Sequence, residues 1–167
     1  MKKIIHLTVF LALISALAGG ILAGVDSMTR PIIEERKIEA VKESLLAIFP
    51  KTTEFKEVAY KDESGLVTNA YQAGTDGYAF NVTVQGYKDV IQFIVGFDSE
   101  GKVIGFEVNY VNDTPGLGSK VGEQEFKSGI KGKQYRGGFD TISGATISSS
   151  AVLRGIEAAA AVFEGLK

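Results

Sequence analysis

Between Lys3 and Asp26 the chain runs through 22 residues, Ile4 to Val25, without a formal charge. As an α-helix this run would be roughly 33 Å long at 1.5 Å per residue, enough to cross a hydrocarbon core of about 30 Å. A secretory signal peptide also begins with lysine and continues apolar, but its apolar core is about 7 to 15 residues. The stretch Ala18–Gly24 also lacks a clean small-x-small cleavage site before an obvious mature start. Residues 1–25 therefore read as an uncleaved transmembrane anchor, and the absence of cysteine excludes a lipid-modified one. Lys2 and Lys3 favour a cytoplasmic N-terminus. Arg30, Arg36 and Lys37 lie on the far side, but they are mixed with Asp26, Glu34 and Glu35 and belong to a domain large enough to translocate regardless. Residues 26–167 are thus expected outside the cytoplasm.

After the anchor, Thr29-Arg30-Pro31 reads as a helix start, and Ile38, Val41, Leu45 and Ile48 follow at helical spacing until Pro50. Residues 26–50 form a connecting amphipathic helix in this reading, its other face carrying Glu35, Lys37, Glu39, Lys42 and Glu43. From Glu54 to Val111 the pattern changes to β segments near 54–60, 66–72, 77–86, 90–98 and 103–111. Phe80, Val82 and Val84 alternate with Asn81, Thr83 and Gln85, as on a half-buried strand. Val90–Phe97 is nearly all apolar, as a central strand would be, and Asp98–Lys102 reads as a hairpin turn. A short helical turn is expected over Glu123–Ser128. Strands bracketed by helices predict an α+β domain, residues 51–167, built on an antiparallel sheet.

Composition narrows the chemistry. Without cysteine there is no disulfide, iron–sulfur ligation or thiol catalysis, so redox work requires an organic cofactor. The single histidine, His6, lies in the anchor near its cytoplasmic end, which removes histidine-based triads and zinc sites from the outer domain. Taking Lys2 and Lys3 from the 18 basic residues leaves 16 against 20 acidic ones, a formal charge of −4. The lysines are scattered among acids, so nucleic acid is not an expected partner. No catalytic residue and no metal ligand are assigned.

Two stretches carry binding chemistry. Asp140-Thr141-Ile142-Ser143-Gly144-Ala145-Thr146-Ile147-Ser148-Ser149-Ser150 leads into an apolar series of helical spacing, Val152, Ile156, Ala159, Ala160 and Phe163. Ser143 to Ser148 should sit at a helix N-terminus, where unpartnered N–H groups and the peptide dipoles favour an anion. Gly144 and Ala145 permit close approach, while Ser143, Thr146 and Ser148 offer hydroxyls; the same residues also make an ordinary N-cap. The second stretch, Asn112-Asp113-Thr114-Pro115-Gly116-Leu117-Gly118-Ser119-Lys120, has the composition of a β-turn.

Together the two stretches change the balance. Asp140-x-x-Ser143-Gly144-Ala145-Thr146 resembles the flavinylation sequence of FMN-binding domains in the G subunit of Rnf complexes and the C subunit of sodium-pumping NADH:quinone oxidoreductases. Thr114-Pro115-Gly116-Leu117-Gly118 resembles that family's second motif, with Asp113 where glutamate is more usual. The resemblance, which includes the anchor, implies FMN joined to Thr146 through a phosphoester by a flavin transferase. It places the cofactor among Ser143, Gly144, Ala145, Ile147 and Ser148 on one side and Thr114, Gly116, Leu117 and Gly118 on the other. Leu117 and Ile147 are expected against the flat ring, and Lys120 is a weaker candidate. Asp140 is expected in a turn or in recognition by the transferase.

The resemblance further implies a single-pass protein of the cytoplasmic membrane, its FMN domain outside, relaying electrons in a complex with integral membrane and iron–sulfur subunits. Such a complex couples ferredoxin oxidation and NAD reduction to Na+ or H+ movement. The compact chain favours the Rnf type over its quinone-reductase relative. A stand-alone flavinylated extracytoplasmic reductase and a non-redox membrane-anchored assembly module are the other readings.

Overall fold

The computed structural model describes residues 2–52 and 54–167. It begins with helix α1, Lys2–Ile48, continuous through Pro31. The expected break before Thr29 is absent. The hydroxyls of Ser27 and Thr29 donate back to Gly24 O (2.8 Å) and Val25 O (2.5 Å), and Arg30 pairs with Asp26 at 2.7 Å. No strong helix terminator lies between Val25 and Thr29, so propagation carries through the lost proline donor. α1 is long and apolar enough to cross a membrane. Contacts divide the chain between Glu39 and Ala40, and residues 2–39 form a unit of their own.

In the second unit the backbone forms a five-stranded antiparallel meander: β1 Phe55–Glu57, β2 Val67–Ala73, β3 Gly77–Gln85, β4 Val90–Phe97 and β5 Val103–Val111. The first strand is much shorter than the 54–60 stretch suggested. β3 and β4 pair from Tyr78↔Phe97 to Gln85↔Val90, so one hairpin turn spans Gly86–Asp89. In the next turn Asp98 Oδ1 accepts from the amides of Glu100 (2.9 Å) and Lys102 (2.8 Å), and Gly101 adopts φ +83°.

Period-two alternation sends Phe80, Val82 and Val84 inward, together with Ile91, Phe93, Val95 and Phe97 of β4. That face is covered by α2, Gln124–Ile130, through Phe126 and Ile130, and by α3, Thr146–Leu166, through Val152, Ile156, Ala159 and Phe163. On the opposite face a smaller cluster joins Ala73, Ala79 and Ile94 to Leu45, Ile48 and Phe49. Of the predicted stripe, Ile38 is exposed, whereas Val41, Leu45 and Ile48 reach this cluster. β4 therefore reads as continuously apolar because both its faces are covered along the second half.

α3 lies very close to the sheet. A Cβ on Gly155 would come within 2.8 Å of Phe93, Val82 and Val84, whereas one on Gly165 would meet nothing within 4 Å. Alanine gains up to about 1 kcal/mol over glycine in a helix, but overpacking a full core costs about 1–3 kcal/mol. Gly155→Ala is therefore expected to lower stability and Gly165→Ala to hold or raise it, measured by urea unfolding. Equal effects at the two positions would refute this close packing.

Candidate functional site

The carboxylate of Asp113 is the anchor point of the site. Asp113 is 4% exposed and accepts four hydrogen bonds. They come from the hydroxyl of Ser148 (2.7 Å) and the amides of Tyr87 (2.9 Å), Lys88 (3.1 Å) and Thr114 (2.8 Å). Burial pushes its pKa up, but these bonds outweigh that effect and hold it below the ordinary aspartate value. The four donors belong to the β3–β4 turn, the loop after β5 and the first turn of α3. One charge thus fixes three separate segments.

Small residues allow this approach. A Cβ on Gly118 would sit 2.6 Å from Asp113 Cγ and 2.7 Å from Ser148 Oγ, and one on Gly86 would sit 2.7 Å from Asp113 Oδ2. The loop closes on itself, with Thr114 O accepting from Leu117 N (3.1 Å) and Ser119 N (3.2 Å), and Ser119 Oγ accepting from Gly116 N (2.9 Å). Gly116 supplies the left-handed φ of +72°. The turn leaves Leu117 45% exposed.

Before α3, Gly144 reverses the chain at φ +81° and Ala145 N donates to Ile142 O at 2.9 Å. Ser149, which the motif reading left without a role, fastens this turn. Its hydroxyl is wholly buried, donates to Ala145 O (2.9 Å) and accepts from Ile142 N (3.1 Å). The helix N-cap is Ala145, with no side-chain cap bond among the described residues. Neither Ser143 nor Thr146 caps α3, so no side chain among the described residues takes up its first N–H groups. Ser148 is buried, and its proton goes to Asp113 rather than outward as the sequence suggested.

These segments enclose an open cleft of about 500 Å³. Thr114, Leu117 and Gly118 line one side, and Gly144, Ala145, Thr146, Ile147 and Ser148 line the other, with Asp113 and Tyr87 completing it. The two motifs therefore meet. Thr146 and Ile147 are exposed, Ile147 to 57%. Ser143 and Lys120 instead line a neighbouring cleft of about 510 Å³ with Glu123, Phe126, Asp140 and Ile142, and Gly116 is not part of either wall. Tyr87 carries no motif signal; its only clue is an aromatic in a tight hairpin turn.

Residues 86–161 match the family described as FMN-binding domain. The G subunit of the ion-translocating oxidoreductase complex of Methanosarcina acetivorans is 30% identical, over 95% of this chain and 93% of the relative. The chain belongs to the family of G subunits of ion-translocating oxidoreductase complexes. Other members include the G subunit of the proton-translocating ferredoxin:NAD(+) oxidoreductase complex of Clostridium ljungdahlii, 26% identical over 95% of this chain and 90% of the relative. The Na(+)-translocating counterpart of Acetobacterium woodii is 28% identical over 99% and 94%. The FMN-binding match opens at Gly86 and runs through most of α3, so it contains every segment that Asp113 ties together.

Asp113→Asn is expected to lower stability near neutral pH by about 1–3 kcal/mol, since amide donors then face an amide. The stabilisation from ionised Asp113 is fully present above the unfolded pKa of about 3.9 and is lost as pH falls through the lower folded value. The asparagine variant should therefore show a shallower acid limb in urea unfolding followed by circular dichroism. Wild-type stability and an unchanged acid limb would show that the carboxylate is not the fastening.

Proposed function

We propose that this chain is the flavin-carrying electron-transfer subunit of an Rnf-type ferredoxin:NAD+ oxidoreductase, with FMN held covalently on Thr146. The observation that carries the reading is the uncapped start of α3. Thr146 is exposed and lines the same cleft as the exposed apolar side chains of Leu117 and Ile147. A phosphoester there has backbone donors and the helix dipole beside it, an interaction of about 0.3–1 kcal/mol for a surface anion. No polar side chain uses those donors among the described residues, which favours an anion at this helix start over a plain cap.

The residues fit the group. Leu117 and Ile147 would offer aliphatic contact to a flat ring, Gly118 and Gly144 would let it approach the backbone, and the uncapped start of α3 would supply backbone donors to the phosphate. Bound FMN supplies a redox centre that exchanges electrons with donors and acceptors of either one- or two-electron type. The chain's part is to hold that centre on a fixed turn, to exclude water from its faces and to leave its edge open to partners. Asp113 and Ser149 keep the turn rigid, so that binding does not first have to order it.

Lys2 and Lys3 hold the start of α1 in the cytoplasm, and the domain stands on the other face of the membrane, where a tether prevents loss of the cofactor. The partners are the integral membrane and iron–sulfur subunits of the complex, with a flavin transferase acting during maturation. Both Na+ and H+ complexes fall within this proposal, since relatives named for each align over nearly the whole chain.

Co-expression with a flavin transferase should raise the intact mass by FMN less one water, with a fluorescent band on a denaturing gel. Thr146→Ala should abolish both signals while changing stability by no more than about 0.5 kcal/mol, as expected at an exposed position. An unmodified wild type in the presence of the transferase would overturn the covalent assignment.

A further inference from the structure

Outside α1, four large apolar side chains stand out as exposed among the described residues: Tyr87 (65%), Ile147 (57%), Leu117 (45%) and Tyr110 (42%). Three of them line the same cleft. Apolar surface left in water costs about 25 cal/mol per Å², so its concentration at one concave place marks a binding surface. Leu117 and Ile147 belong to the two motifs, whereas Tyr87 has no assigned role.

Its exposure does not come from a loose loop. Gly86 N donates to Asp89 O at 3.0 Å, and Asp89 Oδ1 accepts from Val90 N at 2.7 Å. Asp89 Oδ2 accepts from Tyr110 and Asn112, both at 3.0 Å. On the inner side Asp113 receives the amides of Tyr87 and Lys88. Two carboxylates thus fasten a four-residue turn and hold an exposed aromatic ring in the cleft that Thr146 also lines. Among the described residues that line the cleft, Tyr87 is the one aromatic.

We propose that Tyr87 is a cofactor-contacting residue whose ring stacks on the isoalloxazine carried by Thr146, shielding one face and quenching its emission. The inference rests on the FMN reading above. Quenching needs no net reaction: the phenol lends an electron to the excited ring and recovers it, a step that phenylalanine does not support. A tenfold preference for the stacked arrangement, about 1.4 kcal/mol, lies within the range for aromatic pairs. It leaves roughly one flavin in ten emissive.

The test uses the full chain in detergent, flavinylated by co-expression, with loading fixed by intact mass. Tyr87→Ala should raise flavin emission by up to about tenfold and increase quenching by acrylamide, because the shielded face opens. Tyr87→Phe should raise emission as well, yet keep wild-type acrylamide accessibility, since shape is retained and only the electron donor is lost. Loaded Tyr87→Ala protein with unchanged emission and accessibility would overturn this inference alone and make the patch a protein-facing surface. A wild type that carries no FMN would overturn the functional reading and this one with it.

Discussion

A buried carboxylate with four donors is the constraint on which the rest of the site depends. Burying a charge is costly unless it is fully hydrogen-bonded, and Asp113 meets that condition only when the β3–β4 turn, the loop after β5 and α3 are all in place. The cost of leaving any donor out enforces their relative positions. Gly86 and Gly118 are small because the carboxylate must come close. The cleft is therefore a consequence of satisfying one aspartate.

Around that point the two faces of the sheet do different work. The inner face packs aromatic and branched side chains under α3, with Gly155 letting the helix settle against Phe93, Val82 and Val84. The outer face receives the last turns of α1 through Leu45 and Ile48, where Gly96 and Gly105 leave room for Ile48. The N-terminal end of α3, placed by the first packing, is where the dipole and the exposed threonine coincide.

Much of this was legible from local pattern. The alternation over Phe80–Gln85, the apolar run of β4 and the Asp98–Lys102 turn are signals within a few residues, and the structure follows them. Thr114, Leu117, Gly118 and Gly144 to Ser148 were placed together by resemblance, and the fold brings them to one cleft. What escaped were contacts between distant residues. The Ser148–Asp113 bond spans 35 positions and the Tyr87–Asp113 bond 26, and no periodicity encodes either. Ser149 escaped because its bond to Ala145 belongs to the turn's own geometry. The continuity of α1 through Pro31 escaped because a residue-level helix-breaking signal yielded to propagation from both sides.

The packing of the turn that precedes α3 has a consequence for biogenesis. Thr146 begins α3, and that helix carries Ser148, Ile156 and Phe163 into the core. The cleft is lined from both the loop after β5 and the start of α3, so it is complete only once α3 is docked. Under the proposed attachment, cofactor loading thus follows the docking of α3, because the threonine reaches its setting beside Leu117 and Gly118 only when that helix is packed.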